Sequence, residues 1–374
     1  MKVLILAQWD VPGPARIPKA LKQAGCEVAA ICKRGDWTSC SSFLDRRHFV
    51  DTSNENEILS MLDHQMKEWR PQLVLPGTDN MVGTLARYRQ SIQKGITQAD
   101  DETATVIDNS LFAAEKSRFV GRKIDLLNML AGMGVPIAPQ RELVTVGDAD
   151  NFVQEHGYPV LLKPDEGSGG SGIALCQTEE ELMSILPQLL ASKQRPRYAI
   201  QKYLGQKKAL CEFVAKDGKM LAANCVYSLH TFPEAIGQTS VARVVKGSAM
   251  RESAEAICEL LGYNGLGVAQ FMVEDETCET PYLFEFSPRM GNFTHLWKLM
   301  GTDLVSVMVK AWQGERYSIE PLKEGLTVAL FPQEALRDRN SEYLQSLRDN
   351  VDDEPDLEEE YELVLNKRWS QAPA

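Results

Sequence analysis

Short apolar runs alternate with amphipathic stretches through the first 110 residues. Val3-Leu-Ile-Leu6 predicts a buried strand, and residues 15 to 25 predict a helix stopped by Gly25. Glu27 to Ile31 predicts a second strand, Glu55 to Trp69 an amphipathic helix and Leu73-Val-Leu75 a third strand. Strands separated by helices pair in parallel, so a doubly wound sheet is expected here. Ligands of such sheets gather at the C-terminal ends of the strands. Gln8, Asp10 and the Thr78-Asp79-Asn80 turn fall there, although each also suits an ordinary turn or cap.

The pattern then changes. Residues 113 to about 133 predict a helix stopped by Gly134, with Val135-Pro-Ile-Ala-Pro139 extended behind it. A short helix over 148–156 precedes the apolar run Val160-Leu-Leu162, a buried strand that ends in Lys163. Ile173 to Cys176 predicts a further strand, and Thr178 caps a helix over 179–191 with Glu181 in capping-box position. Arg197 to Leu204 predicts a strand ended by Gly205. Residues 209–214 and 220–227 predict a hairpin turning on Asp217-Gly218. A helix over 252–261 leads to a second hairpin, 268–273 with 281–286, and then to helices near 293–300 and 303–313. Beyond Lys323 the pattern gives one strand, Thr327 to Leu330, a helix near 340–348 and an acidic run.

At 374 residues the chain has room for two or three domains. A net charge of −12 argues against nonspecific binding of nucleic acid. Eight of the negative charges lie between Asp352 and Glu362, a run that reads as a solvated face or tail. Positive potential for any anionic ligand must therefore be built locally, which makes single placed cations informative. The first seven residues show no signal-peptide pattern, and no apolar run approaches the length of a membrane span. The eight cysteines contain no C-x-x-C pair, so a cytoplasmic protein with free thiols and no structural metal is expected.

The candidate chemistry centres on Lys163 and the loop with Gly167, Gly169, Gly170 and Gly172. Gly167-x-Gly169-x-x-Gly172 satisfies a dinucleotide fingerprint, but strand rather than helix follows it, which argues against that reading. A lysine on a rigid strand beside a run of backbone N–H groups suits phosphate; a surface hairpin with a solvated lysine is the alternative. Glu285 and Ser287 share a strand face, and a turn near 277–278 sets Gln270 opposite Glu285. Such an oxygen set suits Mg²⁺. Arg289 follows, where it could hold a phosphoryl group bidentately. Lys116, in the first turn of its predicted helix, opposes the helix dipole, as either a ligand or a solvated lysine. Arg243 suits a substrate carboxylate or a surface ion pair. His295 suits a base or, more often, a helix start.

Lys116, the Lys163 strand with its glycine loop, Ile200-Gln-Lys-Tyr-Leu204 and Phe284-Glu-Phe-Ser-Pro-Arg289 together resemble the ATP-grasp superfamily. The resemblance runs over roughly residues 1 to 315. It is nearest in character to carbamoyl phosphate synthetase large chains and similar carboxylate–amine ligases. It implies an α/β and α+β chain: a Rossmann-like pre-ATP-grasp domain over 1–110, a lid subdomain with its connecting helix over 111–204, a large subdomain over 205–320 and a C-terminal extension over 321–374. It implies that Lys116 and Lys163 contact ATP phosphates while Gly169, Gly170 and Ser171 close over them. Gln201, Lys202, Tyr203 and Leu204 would form the adenine-binding hinge. Gln270, Glu285 and Ser287 would hold Mg²⁺, with Mn²⁺ able to substitute, and Arg289 would steady the transferred group. Two positions depart from the pattern. Lys208 stands where a ribose-binding glutamate is usual, with Glu212 as a substitute, and Ser287 stands where asparagine is usual. The implied activity joins a small carboxylate to an amine through an acylphosphate, releasing ADP and phosphate. A bicarbonate-using ligase and a non-catalytic ATP-binding protein are the alternatives. Similar proteins are often homodimers, and no nucleic-acid or membrane partner is expected.

Overall fold

The computed structural model describes residues 1–8, 11–112, 114–119, 122–165, 172–191, 197–205, 207–234 and 237–344. Asp10, Gly167, Gly169, Gly170, Ser171, the predicted helix beyond 344 and the acidic run lie outside the described residues.

The first part is β1 (Lys2–Leu6), α1 (Pro12–Gln23), β2 (Glu27–Cys32), β3 (Arg46–Phe49), α2 (Glu55–Glu68), β4 (Leu73–Pro76), α3 (Asp79–Gln93) and α4 (Asp101–Asp108). Its strands form a parallel sheet in the order β3-β2-β1-β4. Helix α1 starts at Pro12, earlier than its apolar pattern, because prolines suit a first helical turn. Strand β3 was not predicted: its sequence RRHF carries no apolar alternation, and it survives as an edge strand. The Thr78-Asp79-Asn80 turn is the start of the unpredicted α3, with the Thr78 side chain accepting from Met81 N–H. Helix α4 was also unpredicted.

The helix expected over 113–133 is two pieces. Ala114–Phe119 is a 3₁₀ turn, and α5 (Lys123–Gly132) starts afresh. A tertiary contact fixes that start, since Asp165 Oδ1 accepts from Ile124 N–H at 2.8 Å. The small lobe continues with β5 (Gln140–Glu142), α6 (Val146–His156), β6 (Val160–Pro164), β7 (Ala174–Cys176), α7 (Glu179–Ala191) and β8 (Tyr198–Lys202). These strands form a sheet in the order β5-β8-β6-β7. Val160, Leu162 and Ile200 face a core shared with Phe152, Leu182 and Leu186. Strand alternation turns Leu161, Lys163 and Gln201 to the opposite face.

The large lobe holds β9 (Lys208–Lys216), β10 (Lys219–Phe232), β11 (Gln238–Val245), α8 (Ser248–Leu261), β12 (Gly265–Met272), β13 (Tyr282–Ser287), α9 (Trp297–Met300), α10 (Leu304–Gln313), β14 (Thr327–Ala329) and α11 (Gln333–Arg337). Its six-stranded sheet has the order β13-β12-β9-β10-β11-β14. The β9–β10 hairpin turns at Asp217 and Gly218, both at positive φ (52° and 74°), which the Asp-Gly pair tolerates. Strand β14 pairs with β11, so residues expected in a C-terminal extension supply an edge strand of this sheet. Cys211 and Phe213 of β9 face a core with α8, whereas Val214 faces a second core with α10. Toward the start of β9 the α10 side opens, and Lys208, Leu210 and Glu212 look into a cleft instead.

Candidate active site

The cleft lies between the exposed faces of the two antiparallel sheets. The small lobe contributes Leu161, Lys163, Gln201 and Tyr203, and the large lobe contributes Lys208, Gln270, Glu285, Ser287 and Arg289 among others. Gln270 and Glu285 are direct cross-strand partners, as the hairpin pattern requires. A bulge beside Gln270 shifts the register toward the turn.

Lys163 crosses from one lobe to the other. Its Nζ donates to the Phe284 carbonyl at 2.8 Å and lies 5.1 Å from the Phe284 ring centre. Burial lowers its ammonium to about 8, with Lys123 and Lys208 adding to the effect and Glu285 opposing it. Glu285 is reached by Lys123, whose Nζ sits 2.6 Å from Oε1. Burial alone would raise this carboxyl, but Lys123, Lys163 and Arg289 outweigh it and hold Glu285 at about 2. The Lys123 ammonium is itself disfavoured by burial, yet Glu285 and Asp79 keep it above its usual range. Arg289 faces Asp79 at 3.3 Å and donates to the Met290 carbonyl. Ser287 is buried, and its Oγ has no hydrogen-bond partner among the described residues.

Several expected residues stand elsewhere. Lys116 lies half-buried on the 3₁₀ turn and is not among the described residues lining the cleft; the lysines that line it are Lys163 and Lys208, and Lys123 reaches the site through its ion pair with Glu285. A cation at a helix start was the signal used for Lys116, and it applies to Lys123 once α5 is known to begin there. Arg243 takes its alternative role, a partly exposed ion pair with Glu276 at 2.7 Å, outside the cleft lining. Lys202 turns its ammonium to the Gly157 and Tyr158 carbonyls, and neither it nor Leu204 lines the cleft. Gln201 is buried beside Gln140, its amide 3.4 Å from Gln140 Oε1. His295 is half-buried outside the lining, and burial with Arg16 and Lys19 nearby pushes its imidazole well below the usual range.

Glu212 borders the cleft, but its carboxylate is engaged by the protein itself. Its carboxylate accepts from Phe293 N–H, Thr294 Oγ1 and Trp297 Nε1 at 2.8 to 3.0 Å, and it is 1% exposed. Burial pushes this carboxyl upward against those three donors. The loop behind Arg289 is thereby tied to β9, and a Cβ at Gly291 would collide with the Glu212 carboxylate. The segment expected to be helical from 293 is consequently a loop until Trp297. Glu212→Ala should lower stability by about 3 kcal/mol, because three buried donors lose their acceptor at once. Chemical denaturation with Trp297 fluorescence would measure it.

The pH dependence has a defined sign. Lys163 loses its proton as the pH rises through about 8, so affinity for a polyanion should fall between about pH 7 and 9. Lys163→Arg keeps the charge and should reduce that fall, read as Kd for ATP across the range. Its folded value lies below the unfolded one near 10.4, so its contribution to folding stability rises between those two pH values.

The two facing sheets, with a cation cluster between them, make this an ATP-grasp fold. Residues 123–320 match the family model described as carbamoyl-phosphate synthase L chain, ATP binding domain, and the chain belongs to that family. It is 22% identical over 339 residues to the carbamoyl phosphate synthase large chain, N-terminal section, of Methanopyrus kandleri, covering 87% of this chain. It covers 57% of that relative, so it spans little more than half its length. Two solved structures share the fold. The biotin carboxylase domain of Hydrogenobacter thermophilus 2-oxoglutarate carboxylase, solved with MgADP, ADP and bicarbonate, has a TM-score of 0.63 at 19% identity, covering 87% of this chain and 73% of that one. N5-carboxyaminoimidazole synthetase of Staphylococcus aureus, complexed with ADP, has a TM-score of 0.64 at 13% identity, covering 86% and 79%. Among the described residues no helix is long and apolar enough to cross a membrane.

Proposed function

We propose that this chain is an ATP-dependent carboxylate–amine ligase working in the cleft between the two lobes. The observation that carries the reading is the convergence of Lys123, Lys163, Lys208 and Arg289 around Glu285 in a chain of net charge −12. Cations gathered at such a cost in self-repulsion suit a polyphosphate.

Mg²⁺ fits the donor set by type. Gln270, Glu285 and Ser287 offer only oxygens toward a metal, and the orphaned Ser287 Oγ supplies a buried donor without an acceptor. Bound there, Mg²⁺ would neutralise phosphate charge during transfer. The chain's own residues do the remainder. Lys163 and Lys123 hold phosphate oxygens, Tyr203 and Gln201 border the base, and Arg289, held by Asp79, steadies the group passed to the substrate carboxylate. The amine then attacks the acylphosphate and phosphate departs. Catalysis of this kind needs positioning more than acid–base residues.

The test is a phosphate-release screen against amino acids and small carboxylates paired with amines, with the product read by mass. Amine-dependent phosphate release with a product mass equal to acid plus amine minus water is expected. Release that depends on bicarbonate and needs no organic acid would favour the second reading. That reading draws on the resemblance to carbamoyl phosphate synthase and to a biotin carboxylase domain.

A further inference from the structure

We propose that the cleft binds the nucleotide polyphosphate without a divalent cation, because Lys163 and Lys208 supply positive charge that would otherwise arrive with the metal. This rests on the ATP-binding reading above and concerns how the charge is balanced.

The geometry separates the four cations into two pairs. Lys123 and Arg289 each face a carboxylate, Glu285 at 2.6 Å and Asp79 at 3.3 Å. Lys163 and Lys208 make no ion pair among the described residues, and the carboxylate nearest to both in effect, Glu285, is already paired with Lys123. Lys163 reaches only the Phe284 carbonyl at 2.8 Å, and Lys208 only the Gly237 carbonyl at 3.5 Å, the outer limit of a hydrogen bond. Both belong to the cleft lining from opposite walls. Lys208 comes from β9, where it pairs with Met272 and shares a face with Leu210 and Glu212. Lys163 comes from β6 in the other lobe. A buried and a half-buried ammonium group that share one already-paired carboxylate are expensive unless a further anion arrives to pair with them. Glu212, the other carboxylate in the lining, is committed to Phe293, Thr294 and Trp297 and neutralises neither.

The metal side is correspondingly light. Glu285 is the one carboxylate among the three oxygen donors, and Lys123 already occupies it. A divalent cation must displace that ammonium to gain its charged ligand, whereas a bare polyphosphate meets a Glu285 already neutralised and so is not repelled. Binding and phosphoryl transfer thus separate: the lysines suffice for the first, and the metal serves the second.

The experiment is calorimetric titration of the full chain with ATP at fixed ionic strength, once in EDTA and once in Mg²⁺. The expected Kd in EDTA lies within about tenfold of that in Mg²⁺. Binding in Mg²⁺ with a Kd in EDTA weaker by more than about a hundredfold would overturn the inference while leaving the ATP-binding reading intact. Absence of binding in both would overturn both. Lys208→Met, which keeps the aliphatic stem, should weaken the EDTA Kd by about tenfold and the Mg²⁺ Kd by less than about threefold. Lys208→Arg should restore the EDTA value. Equal losses in the two buffers, in a variant with unchanged melting temperature, would overturn the assignment to Lys208.

Discussion

Lys163→Ala should lower ATP turnover by about a hundredfold or more while the chain keeps its fold. The side chain spans the two lobes, so the substitution removes both a cation in the cleft and the bond to the Phe284 carbonyl. Burial without a carboxylate partner makes this lysine a cost to the folded chain, not a support. Its loss should therefore leave the melting temperature unchanged or slightly raised. Lys163→Met, which retains the stem over the Phe284 ring, should be as inactive as the alanine variant. Turnover near wild type in a folded Lys163→Ala protein would remove the phosphate role.

Glu285→Ala should abolish turnover, with no recovery in excess Mg²⁺. It removes the one carboxylate among the three candidate ligands and leaves neutral oxygens, which hold Mg²⁺ poorly. It also strands Lys123, whose ammonium loses its partner at 2.6 Å. Breaking a buried pair from one side costs about 3–5 kcal/mol, so a lower melting temperature should accompany the loss. Glu285→Gln keeps the shape and separates the two effects. Its fold should hold better than that of the alanine variant while its activity is equally absent. Because Glu285 is held at about 2, its stabilising contribution is present above the unfolded value near 4.3 and lost as the pH falls toward about 2. Glu285→Gln should flatten acid unfolding in that window. Ser287→Asn, by contrast, should stay active and lower the Mg²⁺ concentration required, since an amide oxygen replaces an orphaned hydroxyl. An active Glu285→Ala beside a dead Ser287→Asn would place the metal elsewhere.

Local pattern determined most of the elements. Strands β1, β2 and β4 of the first sheet, both hairpins of the large lobe and the 179–191 helix follow from apolar period and turn residues, which act within a few positions. The opposition of Gln270 and Glu285 was equally legible, since a hairpin's turn fixes its register. Segments without such a signal were not. Strand β3 is polar and exists because β2 offers it an edge, and the helix over 113–133 divides because Asp165, far along the chain, caps the start of α5.

The sequence by itself determined which residues are candidates for the chemistry: a lysine ending an apolar strand, a hairpin of oxygen donors and an arginine just behind it. Only the tertiary structure decided which of them meet. It brought Lys123 rather than Lys116 to Glu285, sent Arg243 to Glu276, and committed Glu212 to the 293–297 loop. The reason is physical. Spacing along a strand fixes the face a side chain shares with its neighbours, but the partner of a buried charge is set by which elements pack across from it, and that depends on contacts 162 residues apart for Lys123 and Glu285 and 210 apart for Arg289 and Asp79.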